Sequence, residues 1–193
     1  MWVMPVTRAP LKIRADEYDR MADAGVFGVD RRRIELLGGQ LYEMAAIGTP
    51  HLVVVTRLQR FFEKALAEDF RVLVQQPVIV DEFDEPQPDV VLLRQPLRVS
   101  KPTARDCLVV IEVSDTTYRD DRGVKLPAYL RGGVPLVWIV NIPQRQIEVY
   151  DRLPGPDELG STPYAPGGEP PSVAGIRVDV AALLADLSTV PPA

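Results

Sequence analysis

Apolar positions along this chain follow two rhythms. From Leu52 to Leu66 they recur at three- and four-residue steps (Leu52, Val55, Leu58, Phe62, Leu66), with Arg57, Arg60 and Lys64 between them. That spacing predicts an amphipathic helix ending near Ala67, with Thr49 as its N-cap and Pro50 as its first helical residue. Residues 16–24 predict a shorter helix, with Tyr18, Met21 and Ala22 on one side. Elsewhere the apolar residues come in short runs. Asp89–Leu93 and Cys107–Val113 are nearly continuous, which fits strands covered on both faces in the middle of a sheet. Residues 71–80 read as extended, but Pro77 keeps them from a central position. Gly38-Gly39 predicts a hairpin turn pairing Ile34–Leu37 with Gln40–Glu43, which sets Glu35 opposite Tyr42. Residues 136–141 and 146–150 predict a second hairpin.

The remaining segments follow from their breakers. Residues 120–131 read as a helix stopped by Gly132-Gly133, with Pro127 forcing a kink or an irregular first turn. Residues 94–106 read as a loop. Residues 153–172 hold six prolines and four glycines and read as a loop or loose hairpin. Residues 175–187 predict a short strand and a helix capped by Asp179. Strands alternating with helices give an α/β fold with a mixed central sheet. The length of 193 residues fits one domain over 1–193.

Composition narrows the chemistry. One histidine, His51, and one cysteine, Cys107, exclude metal sites built from several of either, as well as an internal disulfide. An enzyme on this chain must rely mostly on carboxylates, lysine or hydroxyls, and carboxylates suit hard cations such as Mg²⁺ or Mn²⁺. The net charge of −5 argues against non-specific binding to nucleic acid, although residues 1–150 are near neutral, with 20 bases and 21 acids. No apolar run approaches the ~18 residues of a membrane span. Residues 1–5 show no basic region followed by an apolar stretch, so the cytoplasm is the expected compartment.

Two acids stand in apolar surroundings. Asp89 opens one strand and Glu112 lies near the end of another. An ionised carboxylate there must be paired, hydrogen-bonded or metal-bound. If the strands are neighbours, the two carboxylates converge on an oxygen site for Mg²⁺. The plainer alternatives are a turn cap for Asp89 and an arginine partner for Glu112. Lys125, on the following helix, either reaches these acids, to orient or deprotonate a water or to offset phosphate charge, or makes a solvated i,i+4 pair with Asp121. Glu35 is either a third acid at the site or the polar face of an exposed hairpin. His51 reads best as a polar residue at an exposed helix start, the alternatives being a phosphate contact or support for Glu35. Asp121 caps or braces the Lys125 helix. Tyr129 and Trp138 read as packing residues.

These residues occur in an order that resembles a known family. The stretches RIELLGGQLYEM, TPHLVVVTRLQRFFEKAL, QPDVVLL, the run from Leu108 to Tyr150, and GIRVDVAALLADL are similar to the Uma-two restriction endonucleases of the PD-(D/E)XK nuclease superfamily. The resemblance implies a restriction-endonuclease-like sheet flanked by helices, with an N-terminal hairpin. It also implies Mg²⁺- or Mn²⁺-dependent hydrolysis of DNA. Asp89 and Glu112 would be metal ligands, Glu35 a further acid and metal ligand, and Lys125 a migrated catalytic lysine. The superfamily's usual lysine position, two beyond Glu112, holds Ser114. Arg31, Arg32, Arg33, Arg57, Arg60, Arg119 and Arg122 are candidate contacts to the phosphate backbone. Two other classes fit the chain. One is a catalytically inactive nuclease-fold binding or regulatory module. The other is a homodimer whose interface sheet includes Leu136–Val140.

Overall fold

A computed structural model describes residues 10–28, 33–67, 69–94, 101–151 and 161–187. Six strands form the central sheet: β3 (Phe70–Val74), β4 (Val90–Arg94), β5 (Cys107–Ser114), β6 (Val137–Asn141), β7 (Gln146–Tyr150) and β8 (Thr162–Tyr164), side by side in that order. β5 and β6 are parallel and every other pair is antiparallel, so the sheet is mixed. A parallel pair needs a crossover. Here it is a helical stretch made of α3 (Tyr118–Asp120), a π-helical turn (Asp121–Lys125) and α4 (Leu126–Arg131). A separate hairpin, β1 (Ile34–Leu37) and β2 (Gln40–Glu43), precedes α2 (Thr49–Ala65), and α1 (Ala15–Asp23) begins the described chain. A second small hairpin, β9 (Ser172–Val173) and β10 (Ile176–Arg177), leads to α5 (Val180–Leu183).

Side-chain alternation divides the core into two layers. Val90, Leu92, Val109, Ile111 and Val113 pack with Val54, Val55, Leu58 and Phe62 of α2 and with α5. Val91, Leu93 and Val110 face the other way and pack with Leu126 and Tyr129 of α4. β4 and β5 are buried on both faces, which explains their continuous apolar runs. β3 lies at an edge, and Pro77 follows its end.

Several expectations need correction. The N-cap of α2 is Gly48, with Thr49 and Pro50 both inside the helix. Leu52 is exposed, whereas Val54 takes its expected place in the core. Arg57 is not a free surface cation: it donates to Leu183 O at 2.9 Å and Ala185 O at 2.7 Å, tying α2 to the C-terminal helix. The crossover helix starts at Tyr118, and its middle is π-helical. Pro127 has no N–H and its ring crowds the carbonyl four residues back, so the turn before it widens. Within the expected 153–172 loop, Thr162–Tyr164 forms the far edge strand of the sheet. β6 lies between β5 and β7 with all five residues buried. Asp179 caps α5 as expected, accepting from Ala181 N and Ala182 N. Among the described residues no helix is long and apolar enough to cross a membrane.

Candidate active site

Strand register brings the first two acids together. β4 and β5 are antiparallel with Val90 opposite Ile111, so Asp89 lies beside Glu112. Glu112 points to the α4 side of the sheet, where Tyr129 of α4 meets it, one residue out of phase with the α2-facing row. Asp89 is no simple turn cap, since its Oδ2 accepts from Val113 N at 2.9 Å. The hairpin supplies a third acid. Gly38 and Gly39 adopt φ of 59° and 80°, as a tight hairpin turn requires. Gly38 N donates to Asp84 Oδ1 at 2.6 Å, and Leu36 pairs through its backbone with Glu85. The turn DEFDEPQP thereby clamps the hairpin in place. Glu35, on the buried β1, is held inward, and its Oε2 accepts from Gln87 N at 3.3 Å.

Lys125 reaches this point from the crossover helix. Its Nζ lies 3.1 Å from Glu35 Oε2, 3.5 Å from Glu112 Oε1 and 3.9 Å from Asp121 Oδ1. It is buried, so the solvated i,i+4 pair is not its role. Asp121 is braced in turn, with its Oδ2 accepting from Ser114 Oγ at 2.7 Å and Thr117 Oγ1 at 2.6 Å. The partner of Glu112 is no arginine. Tyr129 Oη donates to Glu112 Oε1 at 2.6 Å, so this core tyrosine also serves the site.

Electrostatics follow from this crowding. Burial opposes the charge of Lys125, but Glu112, Glu35, Asp121 and Asp89 outweigh it and hold the ammonium well above its ordinary pKa. Burial pushes Glu112 well above the usual carboxylate range, and Asp121 and Asp89 add to that, against the pull of Lys125 and Tyr129. Burial also works against the charge of Asp89. There the His51 contact, the Val113 N–H and Lys125 prevail, and its carboxyl titrates lower than usual. Four carboxylates thus share one permanent cation.

His51 corrects the sequence reading. It is not an exposed helix terminus: its Nε2 lies 3.0 Å from Asp89 Oδ2, and its Nδ1 is buried with no hydrogen-bond partner. Only its place in the first turn of the helix after the hairpin signalled this. Glu35, His51, Asp89, Glu112, Asp121 and Lys125 line one cavity of about 690 Å³, together with Arg33, Tyr42, Ile47 and Val124. Among the arginines considered, Arg33 lines the cavity, Arg57 is tied to α5, and Arg122 donates to Tyr150 Oη at 3.3 Å. Arg60 and Arg119 are exposed away from it, and Arg31 and Arg32 lie outside the described residues.

A mixed sheet that brings carboxylates from two central strands and a hairpin to an amine from its crossover helix defines a buried carboxylate–lysine site on an α/β fold. The chain belongs to the Uma2 family, described as "putative restriction endonuclease", whose model matches residues 15–185. Its fold is similar to that of a protein from Anabaena variabilis ATCC 29413, titled a "putative nuclease belonging to DUF820". The two are 12% identical with a TM-score of 0.69, over 91% of this chain and 99% of that one. No curated protein matches the chain.

Proposed function

We propose that this protein is a Mg²⁺- or Mn²⁺-dependent endonuclease that hydrolyses phosphodiester bonds in DNA. One observation carries the reading: carboxylates from separate segments, Glu35, Asp89 and Glu112, share a single cavity with the Lys125 amine, which lies 3.1 Å from Glu35 and 3.5 Å from Glu112. The donor set suits a hard cation. Hydrogen bonds fall on Asp89 Oδ2 and Glu112 Oε1, while Asp89 Oδ1 and Glu112 Oε2 take no protein donor among the described residues. Mg²⁺ is commonly held by one or two carboxylates, with waters and substrate phosphate completing its shell. Asp89 and Glu112 would hold it, with Glu35 beside them. A hard divalent ion supplies Lewis acidity toward phosphoryl oxygen and acidifies nearby water.

The chain's own groups do the rest. The Lys125 ammonium holds its proton too firmly to serve as a base, so it orients the attacking water and offsets negative charge building on the phosphoryl oxygens. Tyr129 and His51 fix the rotamers of Glu112 and Asp89. Water forms the new P–O bond and releases a proton to solvent, the bridging P–O bond breaks, and the leaving oxygen takes a proton from solvent, with no covalent enzyme intermediate.

The test is cleavage of varied DNA with Mg²⁺ and Mn²⁺ by the wild type and by Asp89→Ala, Glu112→Ala and Lys125→Ala. Activity is expected in the wild type and a loss of at least ~10²-fold in each variant. A second reading, the inactive binding module, draws on one observation. Among the described residues no three acidic, histidine or cysteine side chains gather closely enough to hold a metal by themselves. Calorimetric binding of Mg²⁺ by a wild type that cleaves nothing, abolished in Asp89→Ala, would favour that module.

A further inference from the structure

We infer that the cavity takes an unpaired DNA strand, with one base laid on its apolar wall, rather than an intact duplex. The inference rests on the nuclease reading for its chemistry and on three separate features for its substrate.

The first feature is depth. The side chains of Glu112, Lys125 and Asp89 are only 2%, 8% and 9% exposed, so a phosphodiester must enter the cavity to meet them. A duplex is stiff over ~150 base pairs and carries its phosphates on a broad outer surface. Bringing one phosphate to such a floor requires the strand to leave the stack, an unstacking cost that a single strand does not incur. The cavity of about 690 Å³ has the size of a small-ligand site.

The second feature is charge. Among the described residues the cavity is lined by two permanent cations, Arg33 and Lys125, against seven acids: the four site carboxylates and Glu43, Asp115 and Asp120. A duplex gains affinity by neutralising many phosphates with lysine and arginine, and the described lining offers few. Arg33 is suited to one contact. It stands two residues before Glu35, and its Nη2 is buried with no hydrogen-bond partner.

The third feature is the rim. Tyr42, Ile47 and Val124 line the same cavity, yet remain 43%, 40% and 42% exposed. They come from β2, the loop before α2 and the π turn. An aromatic ring and two aliphatic side chains in the cavity with the acidic floor are suited to receive a base, since every base has an apolar face. Affinity then comes from the base more than from the backbone.

The experiment uses the full chain and fluorescence anisotropy, with Ca²⁺ replacing Mg²⁺. The probes are a labelled thymidine oligonucleotide of about 8 nucleotides, within the usual single-strand site size, and a hairpin duplex of matched charge. Expected results are at least tenfold tighter binding of the single strand, and at least tenfold loss of it in Tyr42→Ala. Val124→Ala is expected to weaken it in the same direction, with circular dichroism reporting an intact fold. The salt slope for one or two phosphates is shallow, about −0.7 to −1.4 in log K against log salt. Equal or tighter binding of the duplex, an unchanged affinity in both variants, or a slope steeper than about −4 would overturn the inference. Separately, cleavage is followed on both probes with Mg²⁺ and Mn²⁺. Tyr42-dependent binding of the single strand without any cleavage would remove the nuclease reading and leave the strand preference standing.

Discussion

Replacing Lys125 with methionine keeps the volume of the side chain and removes its charge, leaving Glu35, Glu112, Asp121 and Asp89 without their shared cation. The Nζ separations of 3.1, 3.5 and 3.9 Å correspond to roughly 5, 5 and 4 kcal/mol of gross attraction at an effective dielectric of about 20. Most of this is offset by the desolvation of the buried ammonium. The net cost of removing one member of a buried charge cluster is about 3–5 kcal/mol. The cost depends on pH, with a definite sign. In the variant Glu112 and Asp121, which burial already raises, lose the cation that opposed the rise, so their folded-state pKa values lie further above those of the unfolded chain. The folded state therefore binds more protons, and stability present at low pH is lost as pH rises through the raised values. Each proton taken up over the 2.5 units between pH 8.5 and 6 recovers up to about 3.4 kcal/mol. Urea unfolding of wild type and variant in a chelator, at both pH values, measures this directly. The expected deficit is about 3–5 kcal/mol at pH 8.5, shrinking by at least ~1.4 kcal/mol at pH 6. A deficit below about 1 kcal/mol, or one that does not change with pH, would show that Lys125 does not neutralise these acids and would refute the electrostatic account of the site.

Three further outcomes follow from particular contacts. Glu112→Gln removes a carboxylate whose raised pKa makes its charge unfavourable at neutral pH, while Lys125 keeps three acidic neighbours; its melting temperature should rise by about 2–4 °C per kcal/mol gained, with DNA cleavage lost. That gain should vanish as pH falls below the raised value, as a pH series of thermal melts would show. Asp84→Ala removes the acceptor of Gly38 N and loosens the hairpin that carries Glu35. A stability loss of about 1 kcal/mol with a larger loss of cleavage is expected, and unchanged kinetics would rule out the hairpin clamp. Burial, with Asp106 nearby, pushes the Cys107 thiol up to about 12, so it should resist a chromogenic disulfide reagent at pH 8 until the protein is unfolded.

Much of this fold was legible because its signals are local. Gly38-Gly39 fixed both the first hairpin and the pairing of Glu35 with Tyr42, since a two-residue turn sets register. The apolar runs of β4 and β5 identified strands covered on both faces, and the acids within them marked the site. What stayed hidden depends on packing between distant segments. The sequence does not show that Glu35 faces inward, because that follows from the docking of β1 against residues 84–88, about fifty positions away. His51 was misread for the same reason. A histidine in a first helical turn is normally solvated, and only the position of α2 over the end of β4 brings it to Asp89. The edge strand β8 sits in a segment whose prolines and glycines disguise it. Its short pairing to β7 comes from the neighbouring strand and not from its own propensity.

The departure at Ser114 explains how the site is built. A lysine two residues beyond Glu112 would approach the acids along the strand. Here that position carries a hydroxyl, which donates to Asp121 on the crossover helix. Asp121 stands at the start of the π turn and Lys125 at its end, and Pro127 two residues later makes the wider turn necessary. In a wider turn, residues four apart lie almost above one another, so Asp121 and Lys125 face the sheet together, with their charged atoms 3.9 Å apart. Ser114 and Thr117 hold Asp121, Asp121 helps aim Lys125, and Lys125 meets Glu35 and Glu112. The strand position thus still governs where the amine lies, through a hydrogen bond to the element that delivers it. The cost is a buried group of four acids around one ammonium, which the fold tolerates because each acid receives at least one further donor or cation. The unsatisfied remainder is an excess of acids over cations at the floor of an open cavity, which is why the loss of Lys125 would be felt by all four acids at once.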